Sequence, residues 1–210
     1  ARQAVRAEQD AGTALLRVDP DGGPRDGQIA RHLDQSQRNL ERSLGRLDEA
    51  EIGDLVGAMV AADRVWIMGF RAGQPFARYL AWQIMQVRSD VQTLPRDGET
   101  LSESLAGIRP QDCAVVFALR RPPRRFDALL GVLAGTGADT ALIGDLPGLE
   151  AMPARWHLPC STAGAGPLFD HAGVMAVAGM LASGTIERSG PKGRERLAAI
   201  ENMHDSLDEL

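Results

Sequence analysis

The chain has 210 residues, of which 44% are hydrophobic and 24% charged, with a formal net charge of -5. That length suits one domain, or one domain with a helical extension, and the composition supports a full core beneath an ordinary charged surface. A negative balance gives no global attraction to nucleic acid or to membrane surfaces.

Residues 2–16 read as a weakly amphipathic helix, and residues 18–27 (VDPDGGPRDG) as a linker of turn formers with nothing to bury. From Gln28 a helix carries Ile29, Leu33, Leu40 and Leu44 on one stripe and stops at Gly45. A second helix runs from Asp48 to Ala62, with Ile52, Leu55, Val56, Met59 and Val60 apolar. Strands then alternate with helices. A strand at 64–69 leads to a helix at about 75–87, with Pro75 in its first turn and Phe76, Leu80, Ile84 and Val87 on one face. A strand at 90–94, a short helix at 99–106 and the apolar strand 113–119 (CAVVFAL) follow. Next come a helix from about Arg124 to Leu133, strands at 140–143 and 155–159, a small-residue helix at 168–186, and a polar helix from Lys192 to about Leu207. Continuous apolar strands separated by helices predict an α/β fold with a parallel sheet covered on both faces.

In such a sheet ligands gather at the carboxyl ends of strands, where loops meet helix N-termini. Three of those loops have unusual residues. In Gly69-Phe70-Arg71-Ala72-Gly73 the glycines permit a tight turn and close backbone approach, and Arg71 adds a charge. The same segment also reads as a plain strand-to-helix turn with an exposed arginine. It lacks the G-x-G-x-x-G spacing, and Asp90 opens the second strand instead of closing it, so a dinucleotide site is disfavoured. The second loop holds Arg120, Arg121, Arg124 and Arg125 around Pro122-Pro123. Residues 109–125 have a local balance of +4, an electropositive island on an acidic chain. With Pro123 opening the helix, Arg124 and Arg125 fall in its first turn, where the macrodipole disfavours cations unless an anion is bound there. Solvated arginines and a contact to an acidic partner surface are the other readings. The third loop, residues 160–167 (CSTAGAGP), offers Ser161 and Thr162 as hydroxyl donors to a ligand or as caps of the next helix.

Enzyme signals are thin. His32, His157, His171 and His204 show no metal-ligand spacing, and neither a nucleophile elbow nor a P-loop is present. His171 beside Asp170 reads as capping and packing more readily than as catalysis. Cys113 and Cys160 lie in apolar runs and read as buried thiols of a reduced cytoplasmic protein. The longest apolar run, residues 172–182, is about half of the roughly 20 residues a membrane span needs. The chain opens at Ala1 inside a helical pattern, which predicts a fragment of a longer protein.

Residues 65–83, 99–106, 109–121, 137–145 and 167–170, taken in order, resemble the SIS (sugar isomerase) domain. More narrowly they resemble the effector-binding half of RpiR-type bacterial transcriptional regulators, through Gly69-Phe70-Arg71 and the arginine pair after the third strand. The resemblance covers about residues 30–190. It implies a three-layer α/β/α sandwich with a five-stranded parallel sheet, preceded by N-terminal helices and usually dimeric. It further implies a sensor, not an enzyme, that binds a phosphosugar at the loops after the first and third strands, with no cofactor and no metal. DNA contact belongs, on this resemblance, to a helix-turn-helix part preceding the chain. Residues 1–27 are then its residual helix and linker, 28–190 the effector domain, and 191–210 a C-terminal helix. Three departures stand out: arginines occupy the place of the usual Ser/Thr-rich phosphate loop, the first loop has Ala72 and Gly73 in place of the usual serine, and the last loop has no glutamate of the kind SIS isomerases use as base. A sugar-phosphate isomerase is the alternative reading.

Overall fold

The computed structural model describes residues 27–209. The expected helix at 2–16 and nearly all of the linker at 18–27 lie outside the described residues. The elements in chain order are α1 (Gln28–Leu44), α2 (Glu49–Ala61), β1 (Val65–Gly69), a 3-10 turn (Arg71–Gly73) and α3 (Gln74–Ile84). They continue as β2 (Val91–Leu94), α4 (Leu101–Leu105), β3 (Cys113–Ala118), α5 (Phe126–Thr136) and β4 (Asp139–Gly144). A second 3-10 turn (Leu149–Ala151), β5 (Trp156–Pro159), α6 (Ala172–Arg188) and α7 (Gly190–Leu207) complete the described chain.

The five strands form one all-parallel sheet in the order β2-β1-β3-β4-β5. Alternation along each strand divides the core in two. Val65 and Ile67 of β1, with Val115 and Phe117 of β3, face α2, α3 and α6. Trp66 and Met68, with Ala114 and Val116, face α4 and α5. Both faces of β1 and β3 are therefore buried, which is why these strands read as unbroken apolar runs. The result is the expected three-layer α/β/α sandwich. No helix among the described residues is long and apolar enough to cross a membrane.

Three expectations are corrected. In α1 the residues buried are Asn39 and Ser43, whereas Ile29 is 86% and Leu33 56% exposed. The helix is held by hydrogen bonds instead: Asn39 Nδ2 donates to the Ala163 carbonyl at 2.7 Å, and Ser43 Oγ accepts from the Ser161 N–H at 2.9 Å. Second, α5 begins at Phe126, with Arg125 as its N-cap at φ -106° and ψ 27°, so Arg124 and Arg125 precede the first turn. Burial of Phe126 under the sheet sets that start. Third, α6 begins at Ala172, four residues later than expected, because Asp170 Oδ1 accepts the Ala172 N–H at 2.8 Å and ends the irregular approach through residues 160–171.

Candidate functional site

The sheet order fixes where a ligand crevice can open. From β1 the chain turns outward to β2 and then crosses back to β3 on the other side, making the carboxyl edge between β1 and β3 the topological switch point. The register sets Gly69 beside Phe117, so the loops following both strands start at one level.

Close packing makes the first loop. A Cβ at Gly69 would stand 2.2 Å from the Gly73 carbonyl oxygen, and one at Gly73 would stand 3.0 Å from that of Phe117. Only hydrogen fits at Gly69, and Gly73 is tightly packed against β3, which is what glycine supplies to a tight turn. Phe70 is half-buried, while Arg71 and Ala72 are exposed. Arg71 holds φ 51°, and Arg121, in the loop after β3, holds φ 61°. Left-handed backbone in a residue with a Cβ costs about 1–2 kcal/mol. Nothing in the sequence announces it, because neither position is glycine or asparagine.

The second loop departs from β3 at Arg120, which is fixed from three directions. Its N–H donates to Asp145 Oδ1 at 2.8 Å, and its Nε donates to Asp145 Oδ2 at 3.0 Å. Its guanidinium lies 5.1 Å from the centre of the Phe169 ring. Asp145 follows β4, and its side chain is only 6% exposed. The Thr162 hydroxyl, itself buried, donates to the same carboxylate. Asp145 therefore ties together the loops after β3, β4 and β5, a role that an isolated aspartate in Ile-Gly-Asp-Leu-Pro did not signal. Arg124 and Arg125 are exposed and make no ion pair among the described residues.

Ser161 and Thr162 cap neither helix. Ser161 Oγ donates to Asn39 Oδ1 at 3.1 Å, locking the last loop onto α1. Asp170, one residue before the N-cap His171, accepts the N–H of Ala172, the first residue of α6, and also accepts the Ser36 hydroxyl. Burial pushes the Asp170 carboxyl up, but the hydrogen bonds from Ser36 and Ala172 outweigh it and leave its pKa lowered. His171, the next residue, is half-buried with its ring 5.3 Å from that of Phe76, which in turn lies 6.0 Å from Phe117. This aromatic chain joins the wall beneath the first loop to the last loop. Burial lowers the His171 pKa against the pull of Asp145 and Asp170, so the imidazole is neutral at pH 7.

Two cavities flank this region. One, of about 230 Å³, opens at the ends of β4 and β5 and is lined by Arg46, Asp145, Glu150 and Cys160 among others. The other, of about 440 Å³, lies between α3 and the edge strand β2, against Trp82, Met85 and Arg96. The loops at 69–73 and 120–125 line neither; Arg71, Arg120, Arg124 and Arg125 are exposed, and Arg120 reaches the smaller cavity through Asp145. Among the described residues no cluster of histidine, cysteine and carboxylate side chains has the geometry to hold a metal ion.

No protein-family model and no curated protein sequence matches this chain. Solved structures do. The sugar isomerase domain of an RpiR transcription factor from Sphaerobacter thermophilus superposes with a TM-score of 0.75 at 23% identity, over 84% of this chain and 99% of that one. The Vibrio vulnificus NanR protein, complexed with ManNAc-6P, superposes with a TM-score of 0.70 at 14% identity, over 90% of this chain and 71% of that one. A hypothetical protein from Methanococcus jannaschii, whose structure was taken to infer a 3-hexulose-6-phosphate isomerase, gives 0.59 at 11% identity, over 80% and 95%. These likenesses establish the fold: this is the SIS-type sandwich that the sequence resembles.

Proposed function

We propose that the chain is the effector-sensing domain of a transcriptional regulator and binds an anionic carbohydrate metabolite, foremost a phosphosugar, at the carboxyl edge between β1 and β3. The observation that carries this reading is the pair Arg71 and Arg121, each in left-handed backbone just past one of the two strands that flank the switch point. Strain of that kind, present twice at one ligand-type crevice, is the pattern of a pre-organised site. Gly69, Phe70, Ala72 and Gly73 give the first wall its close approach, and Arg120, Arg121, Arg124 and Arg125 give the second wall its charge. Guanidinium groups grip phosphate with paired hydrogen bonds that a serine loop supplies in a different way. Asp145 orients Arg120, and Ser161 and Thr162 brace the last loop from behind. The sugar body extends toward the cavity beside Asp145.

The likeness to an RpiR sugar isomerase domain and to NanR with its phosphosugar supports a sensor of this kind. Ligand binding then favours one of two arrangements of a homodimer by its differential affinity for them. DNA contact falls to a helix-turn-helix part of a longer, cytoplasmic protein. Isothermal calorimetry against a panel of hexose and hexosamine phosphates tests the reading. At least one member is expected to bind, with affinity at least tenfold lower in the Arg124→Ala, Arg125→Ala double variant. No heat from any member sinks the proposal.

One observation favours a second reading, a sugar-phosphate isomerase: the neutral His171 imidazole can accept a proton. Against it, the Asp145 and Asp170 carboxylates are both occupied by hydrogen bonds within the chain. A coupled assay on aldose and ketose phosphates separates the two, and a sensor shows no turnover.

A further inference from the structure

Helix α1 docks through polar side chains, and their partners lie in one loop. The Ser36 hydroxyl donates to Asp170, Asn39 Nδ2 donates to the Ala163 carbonyl at 2.7 Å, and Ser43 Oγ accepts the Ser161 N–H at 2.9 Å. Asn39 Oδ1 takes a further bond from Ser161 Oγ at 3.1 Å. Against α6 the helix lies close, since a Cβ at Gly173 would stand 2.3 Å from Ser43 Oγ. Of the 17 residues of α1 only Asn39 and Ser43 are buried, Leu40 is half-buried, and Ile29 and Leu33 face solvent. Little apolar area holds this helix, and a helix of its length freed from its dock is marginal in water. Residues 161–170 therefore act as a polar clasp on α1.

The same loop faces the candidate anion site. Ser161 turns its hydroxyl to α1, while its neighbour Thr162, itself buried, turns its hydroxyl to Asp145. Asp145 in turn holds Arg120, accepting its N–H at 2.8 Å and its Nε at 3.0 Å. The Thr162 carbonyl accepts the Asp170 N–H at 3.2 Å, and Phe169 lies against the Arg120 guanidinium, so both ends of the clasp meet at the arginine. A continuous run of contacts thus joins Arg120 to α1. An anion bound by Arg120 shares that guanidinium with the buried Asp145 carboxylate, and the two negative charges repel. The repulsion is relieved when Asp145 turns away, which breaks its bond with Thr162 and loosens the loop.

We propose that α1 is a releasable strap: an anion at Arg120 displaces Asp145, the bond from Thr162 opens, and residues 161–163 let go of Asn39 and Ser43. This rests on the effector-binding reading given above, and names the element through which that site acts. The anion selects between a docked and a released α1 by its differential affinity for the two. Residues 1–26 lead directly into this helix, so its release shifts the attachment of everything that precedes it. Coupling of this kind is reciprocal, and a chain whose α1 is already released binds the anion more tightly by the same factor.

Hydrogen exchange read by mass spectrometry tests this, on the whole chain with and without the tightest member of the hexose and hexosamine phosphate panel. At saturating phosphosugar the amides of residues 35–44 are expected to exchange at least tenfold faster than in the free chain. Thr162→Val is expected to speed exchange there without phosphosugar and to leave nothing for the phosphosugar to add. Asn39→Ala, and the milder Ser36→Ala, each shown native by circular dichroism, are expected to bind the phosphosugar more tightly, Asn39→Ala by at least threefold. A clasp that serves structure alone leaves affinity unchanged in both. A phosphosugar that binds while residues 35–44 exchange at their free rate, or more slowly, overturns this inference and leaves the effector reading standing. Affinity unchanged or weakened in both variants does the same. If no member of the panel binds, the effector reading fails and this inference falls with it.

Discussion

Replacing Asp145 by asparagine pulls stability and anion affinity in opposite directions. The carboxylate takes three hydrogen bonds, from the Arg120 N–H, Arg120 Nε and Thr162. An amide has one oxygen, so whichever way the substituted side chain turns, its NH₂ faces a donor. Losing a hydrogen bond to a charged acceptor and leaving a donor unmatched in a site only 6% exposed costs about 1.5–3 kcal/mol. The ion pair itself adds less than about 1 kcal/mol, because the Arg120 side chain is 52% exposed and solvent screens it. A total near 2–3 kcal/mol lowers the melting temperature by about 4–12 °C in a chain of this size. For a phosphate placed about 7 Å away, removing one negative charge is meanwhile worth between ~0.6 and ~2.4 kcal/mol for effective dielectrics of ~80 and ~20. A gain near 1 kcal/mol is a roughly fivefold tighter Kd. Scanning calorimetry and titration with a phosphosugar read the two effects on one sample. A variant as stable as wild type, or one that binds the phosphosugar more weakly, refutes this account of Asp145.

Arg71→Gly relieves the left-handed backbone while removing a charge, so the melting temperature should stay within about 3 °C of wild type as phosphosugar affinity falls about tenfold. Gly144→Ala sets a Cβ 2.0 Å from the Ala118 carbonyl oxygen, and chemical denaturation should show a loss of about 3 kcal/mol or more. His171 has a lowered pKa in the folded state, so the unfolded chain binds its proton first. Its contribution to stability is full above the ordinary histidine pKa of about 6.5 and is lost as pH falls below it toward the folded value, a slope that His171→Gln should flatten. The Cys113 and Cys160 thiols are pushed up to about 12 by burial, so a thiol reagent at about pH 8 should label neither until the chain is unfolded.

The sheet was legible because burial on both faces writes itself as unbroken apolar runs, and Val65–Gly69 and Cys113–Ala118 fall where those runs stand. The loops at 69–73 and 120–125 were legible as candidates because glycine and clustered arginine are local signals. What escaped was long-range and polar. Asn39 and Ser161 are 122 residues apart in sequence, and nothing local in α1 shows that its polar side docks while Ile29 faces solvent. Asp145 gathers three loops that only the folded sheet brings to one edge. The expected first-turn position of Arg124 and Arg125 failed by two residues, since the buried Phe126, not Pro123, sets the start of α5. The positive charge is thus held on a loop before the helix, outside its first turn.

The location of the bound anion is read most directly by backbone amide NMR. Uniformly ¹⁵N-labelled chain, titrated with the tightest phosphosugar of the panel, should show its largest shift changes at Phe70–Gly73 and Arg120–Phe126, with smaller ones at Asp145. Changes confined to the cavity between α3 and β2, or none at saturating phosphosugar, contradict a sensing site at the edge between β1 and β3.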